Sequence, residues 1–171
     1  MFDAKPIPKN KKICTDWIDL KQEIETHYKN KTIVLTSGTF DLLHYGHLHV
    51  LQKAIQLGDV LIVAVNTDQS VKRYKGAMRP INSLEHRMAM LAALEMTTFV
   101  VSFSHDTPKE IIAYFRPDVF VKGGDYKDKT IAGADIVIAY GGAVHITDYI
   151  HGVSTTNMIK KIMGAHQEIK I

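Results

Sequence analysis

The chain has 171 residues, 46% hydrophobic and 23% charged, which is enough for one sizeable core and predicts a single domain. Its 21 basic and 18 acidic residues are interspersed and leave a net charge of +3, which suits an anionic small ligand and excludes nucleic acid as the expected partner. No apolar run approaches the roughly 20 residues of a membrane span, the opening "MFDAKPIPKNKK" lacks the apolar stretch of a secretory signal, and the single Cys14 has no disulfide partner, so a cytoplasmic protein without a membrane partner is expected.

Behind Thr15, the residues Trp17, Leu20, Ile24 and Tyr28 recur at helical spacing. They predict an amphipathic helix over 15–28, within an N-terminal extension of residues 1–30 that precedes a main domain over 31–171. Five short, continuous, β-rich runs follow: "TIVLTS" (32–37), "VLIVAV" (60–65), "FVVS" (99–102), "VFVK" (119–122) and "AVHI" (143–146). Unbroken apolar runs of this length are the pattern of strands covered on both faces. Helices are predicted between them at 47–56, 83–95, 108–115 and about 130–140, with a last one from 154. Thr107, Pro108 and Glu110 supply a cap, a first helical residue and a capping box for the third of these. Asn82 and Glu85 form a weaker box ahead of Arg87. Alternating strands and helices give an α/β domain with a doubly wound, mainly parallel, five-stranded sheet, whose ligands bind beyond the carboxyl ends of the strands.

Each polar motif follows a strand. "SGTFDLLHYGH" comes after the first, "NTD" after the second, "KGGDY" after the fourth, and "HGVSTT" between the fifth and the last helix. All four turns therefore converge on one rim. The chain contains neither a G-x-G-x-x-G turn after the first strand nor a G-x-x-x-x-G-K-[ST] phosphate loop, so phosphate has to be held in another way. His44 and His47, at i and i+3 entering a helix, project to one side, where the helix N-terminus adds free N–H groups. Gly46 keeps the space between the rings clear. An anion cradle is one reading of this pair. Surface histidines at a helix start are a second, and a zinc site completed by His49 a third, although His49 lies on another face of the helix and no cysteine assists.

"GTFDLLHYGH" with the distal "STT" resembles the nucleotidyltransferases of the cytidylyltransferase type, whose signature is His-x-Gly-His at one helix start and a Ser-Thr-Thr-like motif at a later one. Over residues 32–162 the likeness extends through "GDVLIVAVNTD", "RPINSLEHRM", "VVSFSHDTP", "RPDVFVKGGDY", "IAGADIVIAYGGAVH" and "STTNMIKKI". These segments resemble the adenylyltransferase half of the bifunctional heptose-phosphate kinase/adenylyltransferases of lipopolysaccharide biosynthesis. The resemblance implies a Rossmann-like nucleotidyltransferase domain over 31–171, standing without the sugar-kinase half. It also implies a reaction: a sugar 1-phosphate, D-glycero-β-D-manno-heptose 1-phosphate, attacks the α-phosphate of ATP to give ADP-heptose and pyrophosphate.

Because the nucleophile is already anionic, the chemistry asks for alignment and charge neutralisation rather than a general base. On this reading His44, His47, Lys72 and Arg87 are the catalytic set. Thr39, Phe40, Gly46, Lys122, Gly124, Ser154, Thr155 and Thr156 join His47 around the nucleotide. Asp41, Lys72 and Asp125 hold the sugar phosphate, with Arg73 and Lys75 competing for the role of Lys72. Magnesium is expected to travel with the triphosphate, bound through phosphate oxygens and water rather than a protein metal site, and related enzymes imply a homodimer or higher homo-oligomer. "GTFDLLHYGH" by itself is closer to glycerol-3-phosphate cytidylyltransferases, which keeps CTP as an alternative. Against CTP stands Tyr149, where those enzymes carry an arginine three residues before the glycine of the Ser-Thr-Thr motif. A nucleotide-binding regulator without turnover is the alternative of another class.

Overall fold

The structure is a computed structural model that describes residues 10–126 and 130–168. In chain order its elements are β1 (Ile13–Cys14), α1 (Trp17–His27), β2 (Ile33–Gly38), α2 (Tyr45–Ile55), β3 (Val60–Asn66), α3 (Asp68–Lys75), α4 (Leu84–Ala92), β4 (Phe99–Phe103), α5 (Lys109–Phe115), β5 (Val119–Lys122), α6 (Ala134–Ala139), β6 (Ala143–Ile146) and α7 (Thr155–Glu168), with a 3-10 turn at Gly124–Tyr126. The five predicted strands are present, and β1 joins them to make a sheet of six rather than five, ordered β1-β4-β3-β2-β5-β6. Every recorded strand pair is parallel. The segment expected as an extension thus contributes an edge strand, with Ile13 opposite Val100, and a helix whose Leu20 and Ile24 are buried.

Period-two alternation along each strand divides the core between the two faces of the sheet. In β3, Val60, Ile62 and Ala64 pack with Leu20, Ile24, Ile111, Phe115 and Val137. Leu61, Val63 and Val65 pack on the other face with Leu51, Ala54, Met88 and Leu91. Since both faces are covered, neither alternate set of residues needs to be polar, which is why the runs read as continuously apolar. The starts of α1, α3 and α4 are fixed by short polar side chains, some of them one residue from the sequence expectation, whereas α5 starts one residue later than expected, with Pro108 rather than Thr107 at its N-cap and no side-chain cap. Asp16, not Thr15, accepts from the Ile18 N–H, and Ser83 rather than Asn82 accepts from the His86 N–H at 3.4 Å.

A second departure is α3. The "VKRYKG" segment, which lies outside every helix expected from sequence, is helical through Lys75, started by Thr67 accepting from the Ser70 N–H. Only Ser70 and Val71 of this helix are buried, so it lacks the apolar stripe by which sequence pattern reveals a helix.

The chain winds from β2 outward through β3 to β4, then returns to β5 on the opposite side of β2. The reversal between β2 and β5 is where a doubly wound sheet opens a crevice at the carboxyl ends of its strands.

Candidate active site

At that crevice lies a cavity of about 620 Å3. Its floor is the end of β2 and the turn after it, Thr36 to Asp41, and one flank carries Lys122, Gly123, Gly124 and Ser154–Thr156, while the other carries Asn66, Tyr74, Lys75 and Asp106. His44 and His47 line the middle. The turns that follow β2, β3 and β5 and the segment before α7 therefore do meet.

His44 is the N-cap residue of α2, with an extended backbone (φ −145°, ψ 170°). Its backbone N–H donates to His47 Nδ1 at 3.3 Å, which fixes the neutral His47 ring with its proton on Nε2. The two imidazoles stack, 3.8 Å between centroids and 18° between planes, and Phe40 lies 5.2 Å from the His47 ring. A Cβ on Gly46 would come 3.1 Å from the His44 ring, so any other residue there would push the stacked ring aside by a few tenths of an ångström. Burial pushes the His44 imidazole below its ordinary range. Burial first, then the positive charges of a protonated His44 and of Lys75, push His47 down to about 3. At neutral pH the pair thus acts through N–H dipoles, and positive charge comes from its surroundings.

Phe40 adopts φ +48° and is buried, turning the chain sharply between strand and helix. Asp41, also buried, is engaged on all sides: Oδ1 accepts from the Ile81 and Asn82 N–H groups at 2.8 and 2.9 Å, and Oδ2 from Arg79 Nε at 2.6 Å. Burial alone would raise this carboxyl, and those three donors outweigh it and hold Asp41 below the usual carboxylate range. Asp41 therefore clamps residues 79–82 to the cavity floor. Lys122, 7% exposed, donates to the Ser37 carbonyl and hydroxyl at 2.7 and 2.8 Å, with Nζ 5.0 Å from the Tyr126 ring centroid. Gly124 is required by close packing, because a Cβ there would fall 2.5 Å from Tyr149 Cα. Asp125 belongs to the 3-10 turn, and its side chain lies outside the described residues.

Ser154 Oγ accepts from the Asn157 N–H at 3.1 Å and so caps α7, while Thr155 Oγ1 reaches the Leu42 carbonyl at 3.4 Å. Thr156 is exposed at the cavity wall. Two helix N-termini, those of α2 and α7, therefore flank one cavity, each adding partial positive charge to it.

Two expected residues are placed elsewhere. Arg87 is fully buried. Its guanidinium donates to the carbonyls of Asn82, Thr39 and Asn66 at 3.1, 2.6 and 2.8 Å and to Asp68 Oδ1 at 2.7 Å. With four donors engaged, it braces the turns behind the cavity and does not line it. Lys72 is exposed on α3 and also lies off the cavity wall. Helix α3 ends at Gly76, whose φ of +93° ends the helical path, and this brings its last residues, Tyr74 and Lys75, to the wall. Sequence reasoning gave no role to Tyr74, nor to Asn66, although the "NTD" turn after the second strand was a signal for the latter. Among the described residues no group of three or more His, Cys, Asp or Glu side chains is placed to hold a metal ion, nor is any helix long and apolar enough to cross a membrane.

A doubly wound parallel sheet with a cavity flanked by two helix N-termini at its switch point defines an α/β domain of the nucleotidyltransferase-like fold. The Cytidylyltransferase-like family description matches residues 35–161, and the chain belongs to that family. It is 52% identical over 145 residues to the bifunctional protein HldE of Salmonella arizonae, covering 84% of this chain and 30% of that protein. To HldE of Syntrophotalea carbinolica it is 48% identical over 140 residues, 82% of this chain and 29% of that one. The chain thus spans less than a third of the length of these relatives. Among solved structures, the lipopolysaccharide core biosynthesis protein from Thermoplasma volcanium superposes with a TM-score of 0.58 at 27% identity, covering 71% of this chain and 100% of that one. Pantoate-β-alanine ligase from Francisella tularensis, with a TM-score of 0.61 over 92% of this chain and 78% of that chain at 15% identity, shares the fold.

Proposed function

We propose that this chain transfers AMP from ATP to D-glycero-β-D-manno-heptose 1-phosphate, releasing pyrophosphate and ADP-heptose. The observation that carries this reading is the convergence of the stacked His44–His47 pair and the Ser154–Thr156 helix start on one cavity with Lys75 and Lys122. Near 50% identity to HldE proteins over most of the chain supports the heptose substrate. An oxygen of the sugar phosphate attacks the α-phosphorus, the bond to the β-phosphate oxygen breaks, and pyrophosphate leaves. His47 Nε2–H is a preorganised donor for charge developing around the α-phosphate, and the α7 N-terminus with Thr156 receives the β- and γ-phosphates. Lys75, which lines the cavity where Lys72 does not, supplies the cation assigned from sequence to Lys72, between the histidines and the acceptor. A divalent cation, magnesium on our reading, accompanies the triphosphate. The donor set fits an ion held by phosphate oxygens and water rather than by a protein cage.

Steady-state pyrophosphate release tests the assignment. ATP with heptose 1-phosphate should exceed CTP with glycerol 3-phosphate by at least about tenfold in kcat/KM, equivalent to about 1.4 kcal/mol. The reverse order would make the chain a cytidylyltransferase. No release with either pair would leave a nucleotide-binding regulator.

A further inference from the structure

The flank of the cavity under β3 and β4 carries a hydrogen-bond chain whose direction is fixed from its far end. Ser70, fully buried, donates its hydroxyl proton to the His105 carbonyl at 3.1 Å, so its oxygen accepts from Asn66 Nδ2 at 3.1 Å. Asn66 Nδ2 also faces the His105 carbonyl at 3.5 Å, and the opposite amide orientation would set two acceptors against each other. Asn66 Oδ1 must then face Tyr74, whose hydroxyl donates to it at 3.3 Å. The Tyr74 oxygen and Thr39 Oγ1 are 2.6 Å apart. With the tyrosine proton committed to Asn66, the proton between these two oxygens belongs to Thr39. Arg87 holds the Thr39 carbonyl at 2.6 Å, so the residue is fixed through both its backbone and its side chain. Burial pushes the Tyr74 phenol above its ordinary range, which keeps its proton in place at working pH.

The consequence is a wall with a polarity. Thr39 lines the cavity, and its hydroxyl, with its proton already donated to Tyr74, has lone pairs and no donor to offer a ligand there. Such a wall matches a hydroxyl group and disfavours a phosphate oxygen or a carbonyl, which would meet it acceptor to acceptor. The triphosphate belongs to the helix N-termini of α2, in the middle of the cavity, and of α7, on the opposite flank, and that leaves this flank for the acceptor. We infer that the Thr39–Tyr74–Asn66 chain is a specificity element that accepts a hydrogen bond from a ring hydroxyl of the acceptor sugar. Thr39 makes the contact, and Tyr74 is a positioning residue that sets the direction of its proton. This rests on the reading of the acceptor as a sugar phosphate. It moves Thr39, expected from sequence beside the nucleotide, to the acceptor side.

The test is a kinetic comparison of Thr39→Val, Thr39→Ser and Tyr74→Phe with wild type, using ATP and D-glycero-β-D-manno-heptose 1-phosphate, with melting temperatures measured in parallel. Thr39→Val keeps the shape and removes the acceptor, so KM for heptose 1-phosphate should rise about tenfold, the effect of one lost hydrogen bond. KM for ATP should stay within about twofold. Thr39→Ser, which restores the hydroxyl, should return the acceptor KM to within about twofold of wild type. Tyr74→Phe, which leaves Thr39 its proton and removes the fixed direction, should raise the acceptor KM severalfold with the same ATP control, and it decides the matter if Thr39→Val melts early. An unchanged acceptor KM in the valine and phenylalanine variants, an ATP KM that rises in step, or a serine variant no better than valine would each overturn the inference while leaving the adenylyl transfer standing. A wild-type chain inactive on heptose 1-phosphate would overturn both.

Discussion

His47 and Arg87 read alike in the sequence, as polar groups to be spent on phosphate, and their surroundings give them opposite duties. His47 lines the cavity with one ring nitrogen held by a backbone N–H, leaving Nε2–H for a ligand. His47→Asn keeps an acceptor for the His44 N–H but removes that donor, so turnover should fall on the order of 100-fold, as for loss of one preorganised donor. Arg87→Met, by contrast, strands the carbonyls of Thr39, Asn66 and Asn82, each at about 1–3 kcal/mol when buried without a partner. Its melting temperature should drop on the order of 10 °C, well beyond any drop in His47→Asn. Pyrophosphate release and thermal melts on both variants separate the duties. A stable Arg87→Met protein with lost turnover would restore Arg87 to the catalytic set.

The helix start at α7 joins cap and ligand site, because Ser154 satisfies the Asn157 N–H while Thr156 remains exposed to the cavity. Thr156→Val should therefore raise KM for ATP roughly tenfold and leave KM for the acceptor near wild type, the mirror image of the pattern expected for Thr39→Val. Initial-rate kinetics with each substrate varied in turn provide the check. Such motifs were legible in the sequence because their chemistry is local: His44, Gly46 and His47 meet within one turn, and a Ser before two Thr caps its own helix. The long strands were legible because every residue from Val60 to Val65 is buried, which writes an unmistakable apolar run. Helix α3 was not, since eight residues with two buried carry no stripe, and with it were lost Tyr74 and Lys75. β1 went unread because two residues carry no period; its ladder is held by Lys12, whose carbonyl accepts from the Val100 N–H at 2.8 Å. The role of Arg87 depends on residues 39, 66, 68 and 82 converging, which no spacing in the chain announces.

In the whole molecule, the site and the fold draw on one reserve of stability. His47 is neutral in the folded chain down to about pH 3, whereas in the unfolded chain it takes a proton below about 6.5. Its folded value is the lower of the two, so the unfolded chain binds more protons in acid, and the stability present above pH 6.5 is lost as pH falls from 6.5 toward 3. His44 shifts the same way. Asp41, also lowered, adds a loss further into acid, as pH falls below its ordinary range. Between pH 7.5 and 5, His47 alone should remove about 2 kcal/mol of unfolding free energy, and that slope should shrink in His47→Asn. Urea titrations at the two pH values measure it. The chain also carries its own optical gauge. Trp17, the single tryptophan, packs with tilted rings against Tyr114 and Phe115 at centroid distances of 5.5 and 6.0 Å and donates its indole N–H to the Ser102 carbonyl at 2.9 Å, one residue before Phe103 in the cavity wall. Its emission wavelength and quenching therefore follow the grip of α1 on the sheet, and fluorescence excited at the red edge of the band registers whether the amino-terminal helix is seated without any dye or label being added.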